Sequence, residues 1–96
     1  MFIINLSYKV PLDTVDQHLH DHVSYLNENY AAGNFLASGR KEPRTGGIIL
    51  AKANSLKELE TIIAKDPFHQ HELADYEITE FVASRAGDGL ESLINK

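Results

Sequence analysis

Gly47-Ile48-Ile49-Leu50-Ala51 is an unbroken apolar run, and its reading decides the fold. A strand with one solvated face alternates apolar and polar residues, whereas a continuous run implies a strand covered on both faces. The turn-rich Glu42-Pro43-Arg44-Thr45-Gly46 precedes it, and Gly46-Gly47 reads as turn chemistry because no helix follows to hold a phosphate. Before that turn, Phe35 to Lys41 alternates as a strand, with Phe35, Ala37 and Gly39 opposite Leu36, Ser38 and Arg40. After the apolar run, Ser55-Leu56-Lys57-Glu58 fits a capping box, Ser55 capping and Glu58 reaching back. Leu56, Leu59 and Ile63 give that helix a buried stripe, and Pro67 should end it near Lys65. One further turn is expected within His69 to Ala74, then a last strand from Tyr76 to Ser84. Gly87-Asp88-Gly89 sets off a short amphipathic tail, Leu90 to Lys96.

Toward the N-terminus, Phe2, Ile4, Leu6 and Tyr8 share one face of a first strand, with Ile3, Asn5 and Ser7 on the other. Pro11 then opens a helix whose apolar residues Val15, Leu19, Val23, Leu26 and Tyr30 recur at helical spacing, with Asp13 and Asp16 in its first turn and Gly33 as its stop. The order β-α-β-β-α-β is the split βαβ of a ferredoxin-like α+β fold: a four-stranded antiparallel sheet with two helices on one face. The chain of 96 residues reads as one domain, with 85–96 as a C-terminal tail. Two helices cover only one sheet face, yet Ile48 and Leu50 point opposite to Ile49 and Ala51. A face-to-face homodimer is the simple way to bury the second face.

Composition narrows the function. Lys plus Arg total 9 against 14 Asp plus Glu, a formal charge of −5, so no excess of cations exists to displace counterions from a nucleic acid. With no Cys, disulfides, thiolate metal sites and thiol nucleophiles are all excluded. No apolar stretch approaches the roughly 20 residues of a membrane span, and Met1 to Asn5 lacks the basic flank of a signal peptide, so a cytoplasmic protein is expected.

Five histidines remain as candidates for chemistry. His18, His20 and His22 look like a metal-binding run, but on a helix residues two apart diverge by about 200°, so no metal site is expected. His69 and His71 read as solvated. His22 falls on the edge of the apolar stripe and points toward the sheet, where an imidazole needs a partner. It is either a core histidine satisfied by a backbone carbonyl or a general acid–base. Asp66 leaves the second helix near its buried side, at a C-terminus where the dipole disfavours an anion. It either stops the helix or orients and charges His22 as a dyad. Phe68 looks like a plug beside it. Ser38 and Arg40 share one strand face; with Arg44 they would suit a carboxylate or enolate on a small substrate, although exposed loop charges are an equal reading for Arg44. A Ser-His-Asp hydrolase lacks any G-x-S-x-G elbow.

His22 with Tyr25-Leu26, then Gly33-Asn34-Phe35-Leu36-Ala37-Ser38-Gly39, Pro43-Arg44-Thr45-Gly46-Gly47 and Asp66-Pro67-Phe68 resemble the YciI-like (YCII-related) family, in register from Phe2 to about Val82. The resemblance implies a ferredoxin-like fold that pairs into a dimeric α+β barrel. It also implies that His22 and Asp66 form an active-site dyad in a pocket near Ser38. One branch of the family dehydrochlorinates a chlorinated hydroxyquinol. Members commonly carry Pro after Ser-Gly, where this chain has Arg40, a departure that bears on pocket charge and loop shape. The leading expectation is a small cofactor-independent enzyme of lyase or isomerase type acting on a small cyclic or aromatic compound. A non-catalytic dimeric module that binds a small molecule or stabilises a partner enzyme is the alternative, and a cofactor-free oxygenase ranks last.

Overall fold

The computed structural model describes residues 1–94, so Asn95 and Lys96 of the expected tail lie outside the described residues. Strands β1 (Phe2–Tyr8), β2 (Phe35–Arg40), β3 (Gly46–Ala51) and β4 (Ala74–Glu80) form one antiparallel sheet in the order β2-β3-β1-β4. Helices α1 (Leu12–Gln17) and α2 (Leu19–Ala31) fill the first crossover, and α3 (Leu56–Ile63) and α4 (Pro67–Gln70) the second. A short 3-10 turn, Glu91–Leu93, follows the last strand. The first expected helix is thus two helices, and α3 is the second. The further turn expected within His69 to Ala74 comes earlier, as α4, and all four helices pack on one face. Val15, Tyr25, Leu59, Ile63 and Phe68 join Phe2, Ile4, Leu6, Ile49 and Ala51 in a single buried cluster.

The first crossover breaks at His18, whose backbone leaves helical geometry (φ −108°, ψ 2°). Its buried positions also differ from the expected stripe. Leu19, Val23 and Tyr30 are exposed, and the buried side chains of α2 are His22, Tyr25 and Asn29. The geometry of the helix explains this. Successive steps of four residues drift about 40° each, whereas a step of seven returns within about 20°. His22, Tyr25 and Asn29, spaced three, four and seven apart, therefore define the inward face of α2, a face hidden from an apolar pattern because two of the three are polar. Asn29 is satisfied there, donating to the Tyr25 carbonyl (2.9 Å) and accepting from Asn34 Nδ2 (2.9 Å). Gly33, at φ 81°, closes α2 as expected.

Strand β1 carries Phe2, Ile4 and Leu6 into the core as its alternation requires. In β2 a bulge lies between Phe35 and Ala37, after which Ser38 opposes Ile49 and Arg40 opposes Gly47. The extra residue shifts the alternation, so Phe35 shares the helix-covered face with Ser38 and Arg40 instead of opposing them. Gly46 and Gly47 belong to β3 rather than to the turn, and a Cβ on Gly46 would strike the Leu6 carbonyl. The capping box forms at Ser55, which accepts from the Glu58 N–H (3.1 Å), while Glu58 reaches back to the N–H of Asn54 (3.3 Å) rather than of Ser55. Leu56 is exposed, and α3 ends at Ile63, with Lys65 outside it. Strand β4 stops at Glu80, not Ser84, because its one neighbour β1 ends where Phe2 pairs with Glu80. The apolar run implied cover on both faces of β3; in the single chain Ile49 is 4% exposed under the helices, and Ile48 is 38% exposed on the open face.

Candidate active site

Asp66 is built into the start of α4, not the end of α3. It is the N-cap of Pro67–Gln70, with Pro67 in the first turn where a missing N–H costs nothing. Its Oδ1 accepts from the Phe68 N–H (3.0 Å), so the carboxylate sits at a helix end that favours an anion, and the expected dipole conflict disappears. The same Oδ1 meets His22 Nδ1 at 2.8 Å. An ionised carboxylate only accepts, so Nδ1 is the donor in this contact, a role assigned from the hydrogen-bond network. Oδ2 accepts from the Tyr76 hydroxyl at 2.6 Å. Asp66 is 1% exposed, and these three donors replace the water it gave up. Burial first, and then the negative charge of Asp66, push the Tyr25 and Tyr76 phenols well above their ordinary range.

The His22 ring stacks flat on Phe68, centroids 3.9 Å apart and planes within 2°. Phe68 in turn meets Tyr8 edge-on. His22 and Phe68 form part of the wall of an open cleft of about 480 Å³ between α2 and the β2–β3 half of the sheet. Ser38, Arg40 and Arg44 line the same cleft, so it gathers every expected site residue except Asp66, which stands behind His22. Apolar walls come from Leu6, Leu19, Leu26 and Ile49. That volume and mixed lining suit a small molecule.

The arginines meet carboxylates already present. Arg44 Nη2 donates to Asp16 Oδ1 (2.5 Å), which holds the Asp16 carboxyl below its ordinary value and raises Arg44. Arg40 Nε donates to Glu42 Oε1 (2.9 Å) in the open. Burial raises the Tyr8 phenol, against the pull of the Arg44 charge beside it. The Ser38 hydroxyl bonds that of Tyr30 (2.5 Å). Away from the cleft, His18 stacks on His71 (4.2 Å between centroids) and His69 meets the Tyr76 ring edge-on. Among the described residues no three His, Cys, Asp or Glu side chains converge as a metal site, and no helix is long and apolar enough to cross a membrane.

Sequence reasoning missed Tyr76, Tyr8 and Asp16. Tyr76 had a signal: it follows Ala74 and precedes Ile78 on the inward parity of β4, opposite Leu6, and a buried tyrosine needs a partner for its hydroxyl. Asp16 lies beyond the first turn of α1, and its pairing with Arg44, 28 residues away, has no local signature.

A ferredoxin-like sheet with a buried carboxylate–imidazole contact beside an open cleft defines the class of protein. The chain belongs to the YCII-related domain family, whose family model matches residues 1–82. Among solved structures, 5-chloro-2-hydroxyhydroquinone dehydrochlorinase from Burkholderia phenoliruptrix AC1100, in complex with 2,5-dihydroxybenzoquinone, matches with a TM-score of 0.71 and 18% identity, over 84% of this chain and 93% of that one. At that identity the likeness is one of fold. A search of curated proteins gave no match.

Proposed function

We propose that this protein is a cofactor-independent acid–base enzyme that eliminates from, or isomerises, a small cyclic or aromatic compound. The observation that carries the reading is the 2.8 Å contact of His22 Nδ1 with buried Asp66, which leaves Nε2 as the basic nitrogen of a cleft-lining imidazole. In this reading Nε2 takes a proton from an acidic C–H of the bound ring, and Asp66 stabilises the imidazolium. In an elimination the C–H electron pair becomes the new double bond and the leaving group departs with its own pair. The proton on Nε2 then passes to water. Arg44, Arg40 and the Ser38 hydroxyl hold the oxygen on which negative charge develops, with Phe68 stacking behind the imidazole. The activity named for the similar dehydrochlorinase is of this type, on a hydroxylated ring.

A homodimer belongs to the same proposal. Ile3, Ile48 and Leu50 lie on the uncovered sheet face, and Asn5 Oδ1, on that face too, is buried without a hydrogen-bond partner. Ile48→Lys should turn a dimer into a monomer in sedimentation analysis; a wild-type chain that sediments as a monomer rejects the pairing.

The enzymatic reading is tested with chlorinated and unchlorinated hydroxyhydroquinones as probes, following chloride release and exchange of ring C–H for deuterium. Loss of a general base should lower turnover about 10²–10⁴-fold in His22→Ala. Turnover equal to wild type in that variant would sink the mechanism. Binding of 2,5-dihydroxybenzoquinone with no turnover of any probe would instead favour a ligand-binding module.

A further inference from the structure

The carboxylate of Asp66 serves two groups with its two oxygens. Oδ1 faces His22, and Oδ2 faces the Tyr76 hydroxyl at 2.6 Å, the shortest of its three hydrogen bonds. That length is typical of a hydroxyl bonded to a charged oxygen. Tyr76 reaches it from β4 and does not line the cleft. It therefore has no route to a ligand except through Asp66.

We propose that Tyr76 is a positioning residue that sets the basicity of His22 by drawing the charge of Asp66 toward Oδ2. A carboxylate that accepts a strong hydrogen bond at one oxygen has less negative charge to offer an imidazolium at the other. The phenol thereby lowers the pH at which Nε2 takes up a proton. Tyr76 itself stays a donor throughout, since its burial and the charge of Asp66 both hold its proton in place.

The other ionisable neighbours are committed elsewhere. Tyr25, whose ring lies 6.2 Å from that of His22, donates to the Ile62 carbonyl (2.8 Å). Tyr8 feels the charge of Asp66 and meets Phe68 edge-on without a hydrogen bond to the dyad, and beside it the Arg44 charge is paired with Asp16. His18 precedes His22 by one turn but stacks on His71, and His69, exposed, touches the ring of Tyr76 rather than its hydroxyl partner.

The inference rests on the acid–base reading for its meaning, but its test needs no substrate. The protonation midpoint of the His22 imidazole is followed by nitrogen-15 NMR of the full chain across pH. In Tyr76→Phe the midpoint should rise by about half a unit or more, as a charge-assisted hydrogen bond is lost from Asp66. Replacing Tyr76 by 3-fluorotyrosine, whose phenol is a stronger donor of the same shape, should lower it. An unchanged midpoint, a fall in Tyr76→Phe or a rise with 3-fluorotyrosine would overturn the proposal. If Tyr76→Phe loses its folded spectrum, the fluorotyrosine shift alone decides. Should the midpoints move as expected while His22→Ala retains full turnover, the acid–base mechanism fails and the tuning of His22 stands.

Discussion

The His22–Asp66 and Arg44–Asp16 contacts each join a nitrogen donor to a carboxylate, one within the wall of the cleft and one at its rim. The inner carboxylate is 1% exposed and fully committed to His22, Phe68 and Tyr76. The outer one is half in water and holds one guanidinium. Inside, removing a partner strands a buried polar group; outside, water takes its place. The difference teaches that the inner contact is a fixed part of the fold, whereas at the rim water can replace either partner.

The largest effect should come from Asp66→Ala, which strands all three donors at once. Breaking such a buried pair costs about 3–5 kcal/mol, and in a domain of this size the thermal midpoint should fall by on the order of 20 °C. A midpoint within a few degrees of wild type in calorimetry would show the inner site to be no more committed than the rim. The smallest effect belongs to Asp16→Asn. Arg44 holds the Asp16 carboxyl below the ordinary aspartate value of 3.8, so its stabilisation is fully present above that pH and is lost as pH falls through the lower folded-state value. The variant should leave the melting temperature nearly unchanged at neutral pH and slightly flatten its decline in acid. A neutral-pH loss comparable to that of Asp66→Ala would erase the distinction.

Much of the frame was legible in the chain. The β1 alternation, the Gly33 stop, the Ser55 cap and the two-faced run at Ile48–Ala51 are local features, set by period and by caps. The pairing of His22 with Asp66 was legible as a possibility, from one inward helix position and one Asp-Pro. What was illegible depended on other elements. The inward face of α2 carries His22 and Asn29, whose hydrogen-bond partners lie outside α2 or on its own backbone, so hydrophobicity alone picked a flank that faces solvent. The β2 bulge reorients Phe35 relative to Ser38 and exists only in the pairing with β3.

By itself, then, the sequence determined the element order, the antiparallel sheet class and the residue types available for chemistry, because periodicity, turn residues and the lack of Cys act locally or by exclusion. Tertiary structure decided which of those residues meet. Asp66 became a helix N-cap serving three donors, Tyr76 became its third partner from β4, and Asp16 closed on Arg44 across the cleft mouth. The physical reason is that a hydrogen bond or an ion pair is fixed by distance in space. Burial, which makes the inner contact costly to break, is a property of the packed sheet and helices together.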